Sequence, residues 1–267
     1  MSERSTAGAA VARRFAATVL AIAGMDMRKL RHEPTELFTR AVQPILWLMV
    51  FGQVFARAHS IPTGGLDYLA FLTPGVLAQS VLFVAIFNGI SVIWERDLGI
   101  VHKFLASPAP RSALVLGKGL ASGIRAMTQA VIVYALARAL GVELATSPLA
   151  LAGAVGFILL GAALFSTFSL IVACVVKTRE RFMGIGQVLT MPLFFASNAI
   201  YPTDIMPSWL QAIAHANPLS YLVDGLRALM LTGAASSFGL VRDALTLGLG
   251  LFVLVLIGAR MYPRLAI

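Results

Sequence analysis

Apolar residues fall in long unbroken blocks rather than in alternation or in short amphipathic stripes. Six of these blocks, at about 37–55, 68–94, 116–140, 149–176, 183–201 and 244–259, approach or exceed the roughly 20 residues a helix needs to cross a hydrocarbon core. Pro44 interrupts the first, which a membrane helix tolerates when its neighbours satisfy the freed carbonyl. Tyr68 and Trp94 stand at the two ends of the second, where amphipathic rings settle at membrane interfaces. The stretch 202–233, "PTDIMPSWLQAIAHANPLSYLVDGLRALMLTG", is apolar but cut by Pro202, Pro207 and Pro218. It predicts two short helices, about 207–214 and 218–231, with Asn217 capping the second and Gly233 stopping it. Neither reaches across a bilayer, so together they predict a re-entrant hairpin over about 203–232. Near the N-terminus, Phe15, Val19 and Ile22 recur at helical spacing between Arg13, Arg14 and the cluster Arg28, Lys29 and Arg31. Basic residues directly after so short a run oppose its translocation, which favours an interfacial helix over a signal peptide. The expected architecture is an all-α membrane protein: residues 1–34 as a segment with an interfacial helix, then 35–267 as a transmembrane domain of six spans with the hairpin before the sixth.

Composition supports the same class. The chain is 58% hydrophobic and only 12% charged, against roughly 25% charged in a soluble domain, and its mean hydropathy is +0.85. A formal charge of +9 could suggest a nucleic-acid partner. The basic residues instead sit at the ends of apolar blocks, so no nucleic acid is expected. Of the 21 Lys and Arg, all but Arg57, Arg125, Arg138, Arg227 and Arg242 fall on the side that holds both termini. The positive-inside rule makes that side cytoplasmic and the hairpin external. The single cysteine, Cys174, lies in an apolar run and reads as a packing residue.

The blocks carry little reactive chemistry. Every Asp, Glu and His falls in a connector, in the N-terminal segment or at the end of a span, which disfavours a carrier driven by a proton or sodium ion bound at membrane depth. The chain has no H-E-x-x-H, no G-x-S-x-G and no cysteine pair. Gly117-Lys118-Gly119 resembles the end of a phosphate-binding loop, but Leu120 replaces the required Ser or Thr and the first glycine is missing. The chain is therefore expected to be neither an enzyme nor an ATPase in its own right.

One connector stands out, the charged and proline-bearing stretch 95–119. Leu98, Val101, Phe104 and Leu105 lie at helical spacing with His102 and Lys103 between them, and Pro108 follows. That pattern predicts a short amphipathic helix suited to a partner's groove. The segments "LAFLTPGVLAQSVLF" (69–83), "WERDLGIVHKFLASPAPRSALVLGKGL" (94–120) and "NPLSYLVDGLRALML" (217–231), in this order and spacing, resemble the ABC-2 family of transporter permeases. Within that family the likeness is to the small drug-exporter permeases of the daunorubicin-resistance type, and it covers almost the whole chain.

The resemblance implies the membrane subunit of an ATP-binding cassette exporter in a bacterial plasma (inner) membrane, with both termini cytoplasmic. Two copies of the permease, in contact with membrane lipids, would join two separate ATPase subunits, which bind the ATP and Mg; this chain would hold no cofactor or metal. The cargo implied is a hydrophobic or amphipathic compound, drug-like or lipid. The alternatives are a polysaccharide or glycolipid exporter of the same family, or an anchor module that transports nothing. By position, 95–106 becomes the coupling helix, with Glu95, Arg96, Leu98, Gly99, Val101, Phe104 and Leu105 facing the ATPase. The N-terminal helix and the group Lys177, Arg179 and Arg181 would add contacts. The external hairpin would carry Pro207, Trp209, Asn217, Pro218, Tyr221, Asp224 and Arg227. Asp224 and Arg227, three apart on one short helix, are expected to pair. Arg125 is expected to snorkel to the interface, and Gly119 and Gly123 to allow close helix packing.

Overall fold

The computed structural model describes residues 13–25, 27–28, 34–58, 61–107, 109–176 and 178–266, with the side chains of 31–38, 40 and 266 left aside. Its ordered elements are helical. Helix α1 covers 13–25. Helix α2 (Pro34–Leu46) passes through a π-helical turn (Trp47–Gly52) into α3 (Gln53–Ala58). Then follow α4 (Tyr68–Asp97), α5 (Ile100–Ala106), α6 (Arg111–Ala139), α7 (Pro148–Val175), α8 (Arg179–Phe195), α9 (Ser208–Ala216), α10 (Pro218–Met230) and α11 (Leu240–Met261).

Among the described residues five segments are long and apolar enough to cross a membrane: Ala41–Ala58, Tyr68–Asp97, Arg111–Ala139, Pro148–Val175 and Leu240–Leu265. The expected fifth span is shorter than its apolar block suggested. Helix α8 has 17 residues, about 26 Å at 1.5 Å per residue against a core of roughly 30 Å. The cause is local: the Asn217 amide donates to the carbonyls of Leu193 (2.7 Å) and Ala196 (3.1 Å), closing the helix end before the chain turns through Ser197. Asn217 also accepts from the Leu219 amide, so one side chain ends α8 and begins α10. The third apolar helix starts earlier than expected, at Arg111, because Pro110 is extended and its carbonyl accepts from Ala113.

Helix α4 is the central post. In its most apolar window 78% of residues are buried, against 17% for α11, which leaves most of its surface at the periphery. Pro74 lies inside α4, and beside it the Thr73 hydroxyl donates to the Leu69 carbonyl. The next residue, Gly75, lets the 196–200 turn touch the helix backbone: a Cβ there would sit 2.4 Å from the Ala199 oxygen. Gly119 and Gly123 play the same part between α6 and α7, meeting Ala163 and Leu159. They serve packing within this chain. An aromatic ladder of Trp47, Phe51, Phe55 and Tyr68 joins the first helix to α4.

Gly75→Ala should lower the melting temperature of the purified protein, by the about 1–3 kcal/mol that overpacking costs, because a backbone carbonyl cannot step aside. Gly156→Ala, with nothing within 4 Å of the new methyl, should leave it unchanged or raise it, since Ala gains about 1 kcal/mol over Gly in a helix.

Candidate functional site

At one end of the bundle the helices meet around α5. Leu98 closes α4 by donating to the Trp94 carbonyl, and Gly99 follows at φ 70°, a conformation that suits glycine. Glu95 and Arg96 therefore form the last turn of α4, and the helix in the stretch 95–106 covers the seven residues Ile100–Ala106. Ser107 ends it, its hydroxyl donating to the Phe104 carbonyl at 2.7 Å.

Helix α5 turns its apolar face inward. Val101 is fully buried, and Phe104 and Leu105 pack against a second core made by Ile22 of α1, Val92 of α4, Leu114 and Val115 of α6, Leu170 of α7, and Tyr262 and Leu265. Leu98, His102 and Lys103 face outward, Leu98 with 66% of its surface exposed. Four helices and the C-terminal turn thus pack behind α5.

Beneath that clamp lies a buried ion pair: the Lys118 Nζ stands 2.6 Å from the Glu95 Oε1, with both side chains nearly inaccessible. Glycines flank the lysine for a steric reason. A Cβ at 117 would lie 2.8 Å from the Ile22 side chain, and one at 119 would lie 3.1 Å from the Ala163 backbone. The Gly-Lys-Gly run lets α1 and α7 approach a charged residue closely enough to seal it.

A second network joins α4 to α8. Asp97 accepts from Arg96 at 2.9 Å and from Arg179 at 2.8 Å, and the Arg179 guanidinium lies 3.4 Å over the Trp94 ring. The expected second contact is therefore continuous with the first through Arg179, while Arg181 is exposed and Lys177 lies outside the described residues. Sequence reasoning missed Asp97, Lys118, Tyr262 and Leu265. A lysine between two glycines, two turns into a long helix, was the available sign for Lys118.

The hairpin residues gather at the opposite end of the bundle. Pro207 and Trp209 are exposed, while Tyr221 is buried and its hydroxyl donates to the His215 carbonyl. Asp224 and Arg227 do not pair with each other among the described residues, contrary to the expectation from their spacing. The Arg227 guanidinium instead donates to the Asn198 carbonyl at 2.8 Å and stacks 3.9 Å over Phe71. Asp224 accepts from the Ser236 hydroxyl and the Phe238 amide, and Ser236 also touches Asp243. The α10–α11 loop supplies partners closer than the next turn of helix does. Arg227 forms part of the floor of a cavity of about 530 Å³ at this end. Arg125 is half-buried within α6.

The sequence pattern of ABC-2 type transporters matches residues 18–231, most of the chain and both ends of the bundle. The chain belongs to the ABC-2 type transporter family. It is similar to a Cyanophora paradoxa protein assigned as the transport permease ycf38, at 27% identity over 89% of this chain and 84% of that one. It is similar also to the daunorubicin resistance ABC transporter permease protein DrrB1 of Streptomyces coeruleorubidus, at 28% identity over 76% of this chain and 71% of the relative. The Escherichia coli protein assigned as the multidrug ABC transporter permease YbhR matches at 29% over 64% of this chain and 46% of its own length.

Lys118→Met should destabilise this ABC-2 protein by about 3–5 kcal/mol, because it removes the ammonium that faces the buried Glu95 carboxylate. Adding Glu95→Gln should recover a large part of the loss. Thermal unfolding in detergent checks both, and equal losses in the single and double variants would refute the pairing.

Proposed function

We propose that the chain is the membrane subunit of an ATP-binding cassette exporter that moves a hydrophobic or amphipathic compound, drug-like or lipid, out of a bacterial cytoplasm or inner leaflet. Two copies pair, and two separate ATPase subunits carrying ATP and Mg supply the work. The observation that carries this reading is α5: a short helix anchored by Val101, Phe104 and Leu105 to a core shared by α1, α4, α6, α7 and the C-terminal turn, with Leu98, His102 and Lys103 left outward. A push on such a helix moves several helix ends together, which is what conversion of hydrolysis into a change of transmembrane packing requires. Asp97 and Arg179 extend the surface to α8.

In this reading α8, continued by 196–200, makes the fifth of six crossings, and α9 and α10 form an external re-entrant hairpin before the sixth, with both termini in the cytoplasm of a cell whose plasma membrane holds the protein. The outward face of α8, with Met183, Val188 and Phe195 exposed, is where the second copy or lipid rests. The names of the daunorubicin-resistance and multidrug relatives favour a drug-like cargo over a polysaccharide.

Leu98→Asp should leave membrane insertion and thermal stability unchanged and reduce ATPase-driven export at least about tenfold, since the side chain touches solvent and not the core. Export at the wild-type rate by that variant would sink the coupling assignment. Val101→Asp is expected to lose the fold itself. For topology, Ser208→Cys in a Cys174→Ser background should react with an impermeant maleimide added outside intact cells; labelling from the cytoplasmic side alone would overturn the external hairpin.

A further inference from the structure

A cavity of about 280 Å³ lies between α2, α4 and α6, walled in part by Gln43, Ser80, Phe83, Val84, Phe87 and Gln129. Along α4 and α6 it sits far from either helix end, while on the first span its wall is Gln43, two residues inside Ala41–Ala58. Gln129 is about 27 Å along α6 from Arg111 and about 15 Å from Ala139, and Ser80 is about 18 Å along α4 from Tyr68. That depth falls within the hydrocarbon core.

The Gln129 amide is the anomaly there. The residue is 1% exposed, and neither its oxygen nor its nitrogen meets a hydrogen-bond partner among the described residues. Buried polar groups in native structures are almost always satisfied, and at membrane depth no bulk water does the work. An apolar residue at this position would pack without that penalty. Across the cavity, Phe83 and Phe87 hold their rings nearly parallel, with centroids 5.9 Å apart and 17° between planes. Among the described residues no charged side chain lines the space.

We propose that this cavity binds a neutral amphipathic molecule whose carbonyl and hydroxyl groups meet Gln129 while a flat apolar ring system lies along Phe83 and Phe87. The inference rests on the exporter reading above and assigns part of the cargo site to the interior of one subunit. A cavity of this size falls at the lower end of ligand pockets, so it receives one fused-ring portion of a larger compound.

The test uses the full chain in nanodiscs with two probes of one shape, 1,4-dihydroxyanthraquinone and anthracene, which lacks hydrogen-bonding groups. The wild type should bind the quinone at least about tenfold more tightly. Gln129→Leu should reduce that preference about tenfold and, without probe, raise the melting temperature, since it removes an unpartnered amide. A purely structural glutamine would give the opposite shift. Val84→Leu, which narrows the cavity without touching a polar group, should weaken both probes. An unchanged preference or a lower melting temperature in Gln129→Leu, or unchanged binding in Val84→Leu, overturns the site. Vesicles reconstituted with the ATPase keep the two claims apart. Quinone binding without quinone export supports the site and removes the exporter reading, whereas wild-type export of the quinone by Gln129→Leu supports the exporter and removes the site.

Discussion

The contact between Glu95 and Lys118 sets the terms for the half of this molecule that holds α5. A carboxylate and an ammonium are stable in an apolar bundle only if they meet and if water is kept from neither alone. Meeting requires α4 and α6 to run side by side at the ends nearest α5, which the α5 elbow between them enforces. Sealing requires neighbours at close range, and the glycines at 117 and 119 admit α1 and α7 on either side of the lysine. Val101 is fully buried in the apolar cluster that also holds Ile22, Leu114 and Val115. Charge pairing, glycine placement and the burial of α5 are thus one structural arrangement.

The opposite end of the bundle is organised by different means. Asn217 satisfies the carbonyls that end α8 and the amide that begins α10. Asp224 binds the loop that leads to α11. Arg227 reaches carbonyls and a ring, so its charge is held by dipoles and a π face. Side chains there stitch turns to helices, and the result is a compact cap of short helices.

The long apolar blocks were legible because a bilayer demands continuous stretches, and the bounds of α4, α7 and α11 follow them to within a few residues. The pair α9 and α10 was legible from Asn217 before Pro218, a local signal with a local cause. What escaped depends on distant partners. Helix α8 stops at Phe195 because a side chain more than twenty residues later caps it. Asp224 and Arg227 have the spacing of a helical pair, yet the loop at 236–238 and the carbonyl at 198 compete successfully for them. The apolar stripe of α5 was visible, but periodicity cannot say whether a stripe faces a partner or its own chain. Gln129 carried no signal at all, since its meaning lies in what is missing around it.

The second core draws on residues from both ends of the described chain, Ile22 early and Tyr262 and Leu265 late. During synthesis, α4 and α6 leave the ribosome well before Tyr262 and Leu265, so the apolar cluster around Val101 stays incomplete until residue 265 has been made. The seat of α5 is therefore among the last parts of the described chain to close.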